Sequence, residues 1–409
     1  MAASGSNGPD HDHDPDPARS GDARAHVVTL VESVSTGGAE RLAVEIAARL
    51  DPARFRSTMC LTRSPAQLHV DPAVQAAVEH RLRAAGARVI ILERTGTWQL
   101  GAWRPLIALL RRDPAAVIHG HMFGSNVWAT VLGLLFGVRA VVIHDHRQAD
   151  PLRTPTVRLL TRHLLARWSA AAIGVSDETG RQMVEQDGFD AARVHVILNG
   201  VPAIAGADGR RIREELGIGP GDPVIASVTM LRPAKTVEVL IEAAATLRSR
   251  FPRLRVLVAG GGSERARLEA LIRDLGVEDT VTLLGMRPDV PDILDAADVA
   301  VLASDIEGTP LAIMEYMEAR VPIVATRVGG TPELLDDGVH GLLIAPRDPP
   351  ALAAAIAGLL EDPARGRRLA EAAYARKSSM FDIDRVVGRI EDLYDQLLIS
   401  TPAGRRTGR

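Results

Sequence analysis

The chain is short of several things, and each shortage excludes something. One cysteine, Cys60, stands in 409 residues, so neither an internal disulfide nor a thiolate metal cage can form, and a reducing compartment suits it. Aromatic residues reach only 3%, too few for the stacking platforms that hold single-stranded nucleic acid. Lys+Arg number 48 against 51 Asp+Glu, a net charge of -3, which lacks the basic excess of a nucleic-acid partner. The longest apolar run, Val127 to Val138, stops at Arg139 and is too short to span a bilayer. No basic segment followed by an apolar core opens the chain, so no secretory signal is expected and the location reads as cytoplasmic. Lysine is scarce too, with Lys235 and Lys377 the only two. A lysine where chemistry wants one stands out against that arginine background.

What is present is an alternation. Hydrophobic residues at 46% and charged residues at 24% are globular values, and the length suits two or three domains at roughly 150 residues each. Residues 1–25 and 401–409 read as disordered tails, and the His11 to Asp14 run as a solvated part of the first. Between them, short apolar β-type runs alternate with amphipathic stretches. The first half carries seven, from Val27–Val31 to Val194–Leu198, and the second six, from Val224–Val228 to Gly341–Ile344. Near-continuous apolar strands separated by helices mean parallel sheets covered on both faces. The expected fold is therefore α/β, with two doubly wound Rossmann-like parallel-sheet domains facing a central cleft. The domains are expected at 26–200 and 223–380, joined by a Pro- and Gly-rich linker at 201–222. A last helix, 381–400, with Val387, Ile390, Leu393, Tyr394 and Leu397 on one face, packs back across them.

Five motifs fall at strand ends, where open α/β sheets bind ligands. Gly37-Gly38 sits between the first strand and its helix, either as a plain tight turn or where a ligand nears helix amides. His119-Gly120-His121 ends the fourth strand, and His144-Asp145-His146 the next. With no obvious third ligand, a polar cleft lining is preferred to a metal site. Arg232 and Lys235 lie in the loop after Val224–Val228, where two cations suit a phosphate or pyrophosphate. Glu307-Gly308-Thr309-Pro310-Leu311 leads into a helix carrying Glu315, with Thr309 as the expected N-cap and Pro310 as the first helical residue. The two acids can bind hydroxyl groups while the helix N-terminus faces an anion. Gly329-Gly330-Thr331-Pro332-Glu333 repeats that turn-to-helix device.

Taken together, these motifs resemble the GT-B glycosyltransferases, specifically the retaining family 4, from about Val27 to Leu398. The most specific stretch runs from Leu257 to Leu343: Ala259-Gly260-Gly261-Gly262-Ser263-Glu264, two glutamates eight apart, then Gly-Gly-Thr-Pro-Glu. The resemblance implies that a nucleotide sugar is the donor substrate, bound at Gly37, Gly38, Arg232, Lys235, Glu307, Gly308, Thr309, Leu311 and Glu315. It implies catalytic roles for His121 over the donor sugar, Lys235 at the diphosphate and Glu307 at the sugar hydroxyls, with Glu315 on the ribose. It implies no cofactor. Two departures stand: Met230 occupies the position five before Lys235 where the family commonly has arginine, and Gly-Thr-Pro replaces the commoner Gly-Phe-Gly after Glu307.

The implied reaction moves a sugar from a UDP- or GDP-sugar to a hydroxyl acceptor, with retention. The acceptor is a lipid-linked or cell-envelope glycan or a small-molecule glycoside. No Asp-x-Asp lies in a loop that could serve the cleft. Arg232, Lys235 and helix amides are then expected to stabilise the leaving diphosphate without a metal. The alternative is a non-catalytic nucleotide-sugar-binding pseudoenzyme of the same fold. A glycosidase would need its carboxyls to flank one bond, and a dehydrogenase would need the absent G-x-G-x-x-G fingerprint. After Pro155, Val157, Leu160, Leu164 and Trp168 read as one helical face and Arg158 and Arg162 as another. Such a helix either packs on the core or makes peripheral contact with an anionic membrane at its inner face.

Overall fold

Both faces of each expected strand need cover, and the chain supplies it with helices on either side of two all-parallel sheets. The computed structural model describes residues 22–34, 37–64, 72–96, 99–146, 155–204 and 206–400, so most of both expected tails and the His11 to Asp14 run lie outside the described residues. The first sheet holds β1 (Ala25–Val31), β2 (Phe55–Leu61), β3 (Arg88–Ile91), β4 (Val117–His121), β5 (Ala140–Asp145), β6 (Ala171–Gly174) and β7 (Val194–Val196). Their order is β3-β2-β1-β4-β5-β6-β7. The second holds β8 (Val224–Val228), β9 (Arg255–Ala259), β10 (Val281–Gly285), β11 (Val299–Leu302), β12 (Ile323–Thr326) and β13 (Leu342–Ile344). Its order is β10-β9-β8-β11-β12-β13. All thirteen expected strands are present within a residue or two at each end.

β1 shows why the runs fold this way. Val28 and Leu30 point into a layer with Trp103, Leu106 and Ile118, while Val27 faces Leu42, Ile46 and Tyr394 on the other side. A strand buried on both faces gains from β-branched residues at every position. The final helix, Ile383–Ser400, covers the first sheet with Val386, Val387, Ile390, Leu393 and Tyr394. The chain thus crosses between the sheets twice. The crossings lie side by side: Val201 N–H donates to Phe381 O at 3.1 Å, and a Cβ on Gly200 would meet Val386 at 2.9 Å.

Two local expectations need correcting. The 201–222 segment contains a helix, Gly209–Glu215, docked on the second domain through Ile212 and Ile218. Asp208 caps it by accepting from Arg211 N–H, and Gly209 packs against the Asp295–Ala296 backbone. A single buried isoleucine, Ile212, in seven helical residues is too sparse to register as periodicity. The helix Pro155–Leu160 runs into a π turn at Thr161–Leu165, where Ala166 N–H reaches back to Thr161 O. The extra residue rotates the helix face. Thr161, Leu165 and Ala166 are buried, not Leu160, Leu164 and Trp168, and Leu159 and Leu160 stay exposed. The Arg158 side chain lies outside the described residues. Among the described residues, no helix is long and apolar enough to cross a membrane.

Candidate active site

Each sheet reverses its strand order once, between β1 and β4 and between β8 and β11. Loops leaving the two strands at such a point diverge and open a crevice at their carboxyl ends. The residues assigned to the donor by resemblance follow these four strands. Gly37 and Gly38 follow β1, His121 ends β4, Arg232 and Lys235 follow β8, and Glu307 to Glu315 follow β11.

On the second sheet, Lys235 Nζ donates to both Glu307 oxygens, at 2.7 and 2.8 Å. Glu307 is 4% exposed, so a cation beside it is needed to offset desolvation of the carboxylate. The helix that follows begins at Leu311, with Pro310 at the N-cap, one residue later than expected. Thr309 does not cap it. Its hydroxyl donates instead to Val175 O of the first domain, and its carbonyl accepts from Asn199 Nδ2 at 3.1 Å. Tyr316 anchors the helix underneath: its hydroxyl accepts from Val228 N–H at 2.8 Å and donates to Val301 O at 3.2 Å. One side chain thereby ties the helix to both strands of the switch point. Burial pushes the Tyr316 hydroxyl well above the ordinary tyrosine range, so it stays a donor.

Glycine sets the spacing of these loops. Gly329, at φ +48°, passes so near the Glu307 loop that a Cβ would stand 1.7 Å from Glu307 O. Gly330 N–H then donates to Gly308 O at 2.8 Å. Gly260, at φ +147°, makes the same approach to Thr229 O after β9, and Leu231 N–H donates to Gly261 O. The loops bearing Lys235 and Glu307 are each braced by a neighbouring glycine turn.

The first domain contributes two groups. Gly38 lies against Leu311, where a Cβ would meet the leucine at 3.2 Å. One turn on, Arg41 pairs with Glu315 at 2.5 Å. This contact was invisible in the sequence, because it joins two domains through a residue inside an ordinary helix. The histidines, read as a pair with no third ligand, form a column of four. His119, His121 and His144 offer ligand atoms within 4.8 Å of one another, enough in number to hold a metal. Neighbouring rings stack or tilt on one another, His146 against His121 and His144, at centroid spacings of 4.2 to 5.3 Å. A cation needs in-plane lone pairs that converge, so shared ligation would require ring rotation. Register explains the column: His121 pairs with His144 across β4 and β5, and residues two apart share a face.

Burial holds all four imidazoles neutral, with His119 and His146 pushed down to about 3. His119 Nδ1 shares a 2.5 Å hydrogen bond with the Tyr394 hydroxyl, and His121 Nδ1 one of 3.0 Å with His146 Nε2. His121 Nε2 is buried without a partner. His119 Nε2 and both His144 ring nitrogens are likewise buried without a partner, so the column holds unused hydrogen-bonding capacity.

Comparison with known proteins agrees with this architecture. The profile of Glycosyltransferase Family 4 matches residues 36–203, and that of Glycosyl transferases group 1 matches residues 208–376. The chain is similar to the alpha-D-kanosaminyltransferase of Streptomyces kanamyceticus, 30% identical over 307 residues, covering 70% of this chain and 79% of that protein. It is also similar to the D-inositol 3-phosphate glycosyltransferase of Nocardia farcinica, 36% identical, covering 47% of this chain and 45% of that protein. Among solved structures, Anabaena HepE in complex with UDP and glucose superposes with a TM-score of 0.76 at 25% identity, over 91% of this chain and all of that one. Two paired switch points, both family profiles and a relative matched over most of its length lead to one conclusion: the chain belongs to the family 4 glycosyltransferases of GT-B fold.

Proposed function

We propose that the protein transfers a glycosyl group from a UDP- or GDP-sugar to an acceptor hydroxyl with retention of configuration. The observation that carries this reading is the convergence of Lys235, Glu307 and Glu315 on the second switch point. Lys235 and Arg232 face the diphosphate, whose negative charge grows as the sugar departs, so no metal is required of the mechanism. Glu315 takes the ribose diol, exchanging its Arg41 partner for hydroxyl donors. Glu307 takes donor-sugar hydroxyls, with Gly308, Thr309 and Leu311 lining the same mouth. Gly37 and Gly38 close on the phosphates from the first domain. His121, kept neutral, accepts or donates one hydrogen bond at the sugar through Nε2. The acceptor hydroxyl attacks from the face the diphosphate leaves, which needs no protein nucleophile.

The relatives support this donor and acceptor class. HepE is solved with UDP and glucose, and the relatives include the alpha-D-kanosaminyltransferase, D-inositol 3-phosphate glycosyltransferases and an N-acetyl-alpha-D-glucosaminyl L-malate synthase. The test is thermal stabilisation by a panel of UDP- and GDP-sugars in EDTA, with release of nucleoside diphosphate read alongside. One donor is expected to raise the melting temperature and to turn over without added metal. Loss of both in EDTA would overturn the metal-free mechanism. Stabilisation without turnover across a broad acceptor panel would favour the pseudoenzyme.

A further inference from the structure

A second set of charges reaches the carboxyl edge of the first sheet, beyond the switch point. Backbone bonds continue the β1-β2-β3 ladder past the strands: Thr62 N–H to Val31 O, Arg63 N–H to Glu32 O and Ser64 N–H to Arg94 O, at 2.8 to 3.0 Å. This sets Glu32, Arg63 and Arg94 on three adjacent strand ends. Arg94 is 6% exposed. Its Nε donates to Thr62 O at 2.8 Å, and its guanidinium lies 5.3 and 5.7 Å from the ring centres of Trp103 and Trp128. Among the described residues, neither Arg94 nor Arg63 has a carboxylate within 4.0 Å. Two acids stand nearby: Glu93 is held by the Ser64 hydroxyl at 2.8 Å, and Glu32 acts on Arg94 only from beyond ion-pair distance.

A buried guanidinium without a counter-ion is costly, and a second cation beside it raises that cost. Burial and Arg63 together push the Arg94 pKa below the ordinary arginine value. The two tryptophans and Thr62 fix the Arg94 fork in place, so an incoming anion meets donors that lose little freedom on binding. The strand end beside the pair also approaches the element that carries His121. Glu32 reaches the start of the Met122–Phe136 helix that follows His121, since a Cβ on Gly124 would stand 2.3 Å from Glu32 Oε1. The donor diphosphate has its own cations, Arg232 and Lys235, on the opposite sheet.

We propose that Arg63 and Arg94 form an anion subsite for the acceptor, which therefore carries a phosphate or carboxylate group, with Glu32 turned toward its hydroxyls. This rests on the glycosyltransferase reading above. The subsite is tested by calorimetric titration of inorganic phosphate, and separately of L-malate, into UDP-saturated protein. Saturation fills the diphosphate site first and measures UDP affinity independently. At least one anion is expected to bind, at least tenfold more weakly to Arg63→Ser and Arg94→Lys, with UDP affinity unchanged in both. Arg63 lies nearer the surface, so its variant serves if Arg94→Lys folds poorly. Which anion binds separates a phosphorylated from a carboxylated acceptor. Binding of neither, or equal binding by wild type and Arg63→Ser, overturns the subsite even where UDP binds well. Should UDP fail to bind, GDP takes its place; should both fail, the donor reading fails, and the same titrations on free wild type and Arg63→Ser still decide the subsite.

Discussion

Under the proposed reaction, Lys235 and His121 meet one sugar nucleotide from opposite domains, and they should fail differently when removed. Lys235 acts on charge present in the bound donor and growing at the transition state. Lys235→Ala is therefore expected to raise donor KM and to lower kcat, by about 10²–10³ for one preorganised donor. In that reading His121 meets the sugar only when both domains close on it. His121→Ala should lower kcat and leave nucleoside diphosphate affinity within about threefold, since that contact is absent from the nucleotide alone. Steady-state kinetics beside calorimetry of the nucleotide separate them, and equal loss of nucleotide binding would sink the division of labour. Lys235 was legible in the sequence because lysine is so rare there. Arg41 was not, although it lies in the same motif as Gly37 and Gly38. Its partner Glu315 comes from the other sheet, and no local pattern encodes a contact between two folded surfaces. Arg94 was hidden for a related reason: an arginine at a strand end is ordinary, and only its burial between two indoles makes it unusual.

At the scale of elements, strands were easier to read than the turns between them. β1 to β13 announce themselves through runs of Val, Ile and Ala that need two covered faces, a demand local sequence states openly. The π turn at Thr161–Leu165 and the helix Gly209–Glu215 do not, because one inserts a residue into a regular period and the other buries little. The glycine turns lie between these cases. Gly-Gly-Thr-Pro signals a turn, but not that the turn braces the Glu307 loop. Gly329→Ala should cost about 1–3 kcal/mol from its backbone conformation, and should also displace Glu307, lowering kcat at least tenfold. Gly338→Ala supplies the control: its φ is +74° but nothing lies within 4 Å of the added methyl. Denaturant midpoints should fall for both, with activity lost only in the first. Normal turnover by Gly329→Ala would show that the brace does not set the donor loop.

For the molecule as a whole, the histidine column links acidity to stability. His119 is buried neutral with its pKa pushed down to about 3, whereas an unfolded chain protonates it near 6.5. Above that ordinary value the two states bind protons alike. Below it the unfolded state takes up a proton that the folded state refuses, so stability falls as pH drops from 6.5 toward 3. His119→Gln should flatten this decline by about 1.4 kcal/mol per pH unit between roughly pH 6 and 4. Urea unfolding across that range checks it, and parallel wild-type and variant curves would exclude the effect. The same column is tied to Tyr394 on the final helix, 275 residues further along, and Arg54 reaches Asp395 across 341. During synthesis, then, the first domain to leave the ribosome is the last that can finish folding. One face of its sheet waits only partly covered, by the Gly38–Arg49 helix, while the second domain, continuous in sequence, emerges and closes. The chain's earliest apolar strands are in effect entrusted to its last eighteen residues of helix, and to whatever shields those strands in the interval.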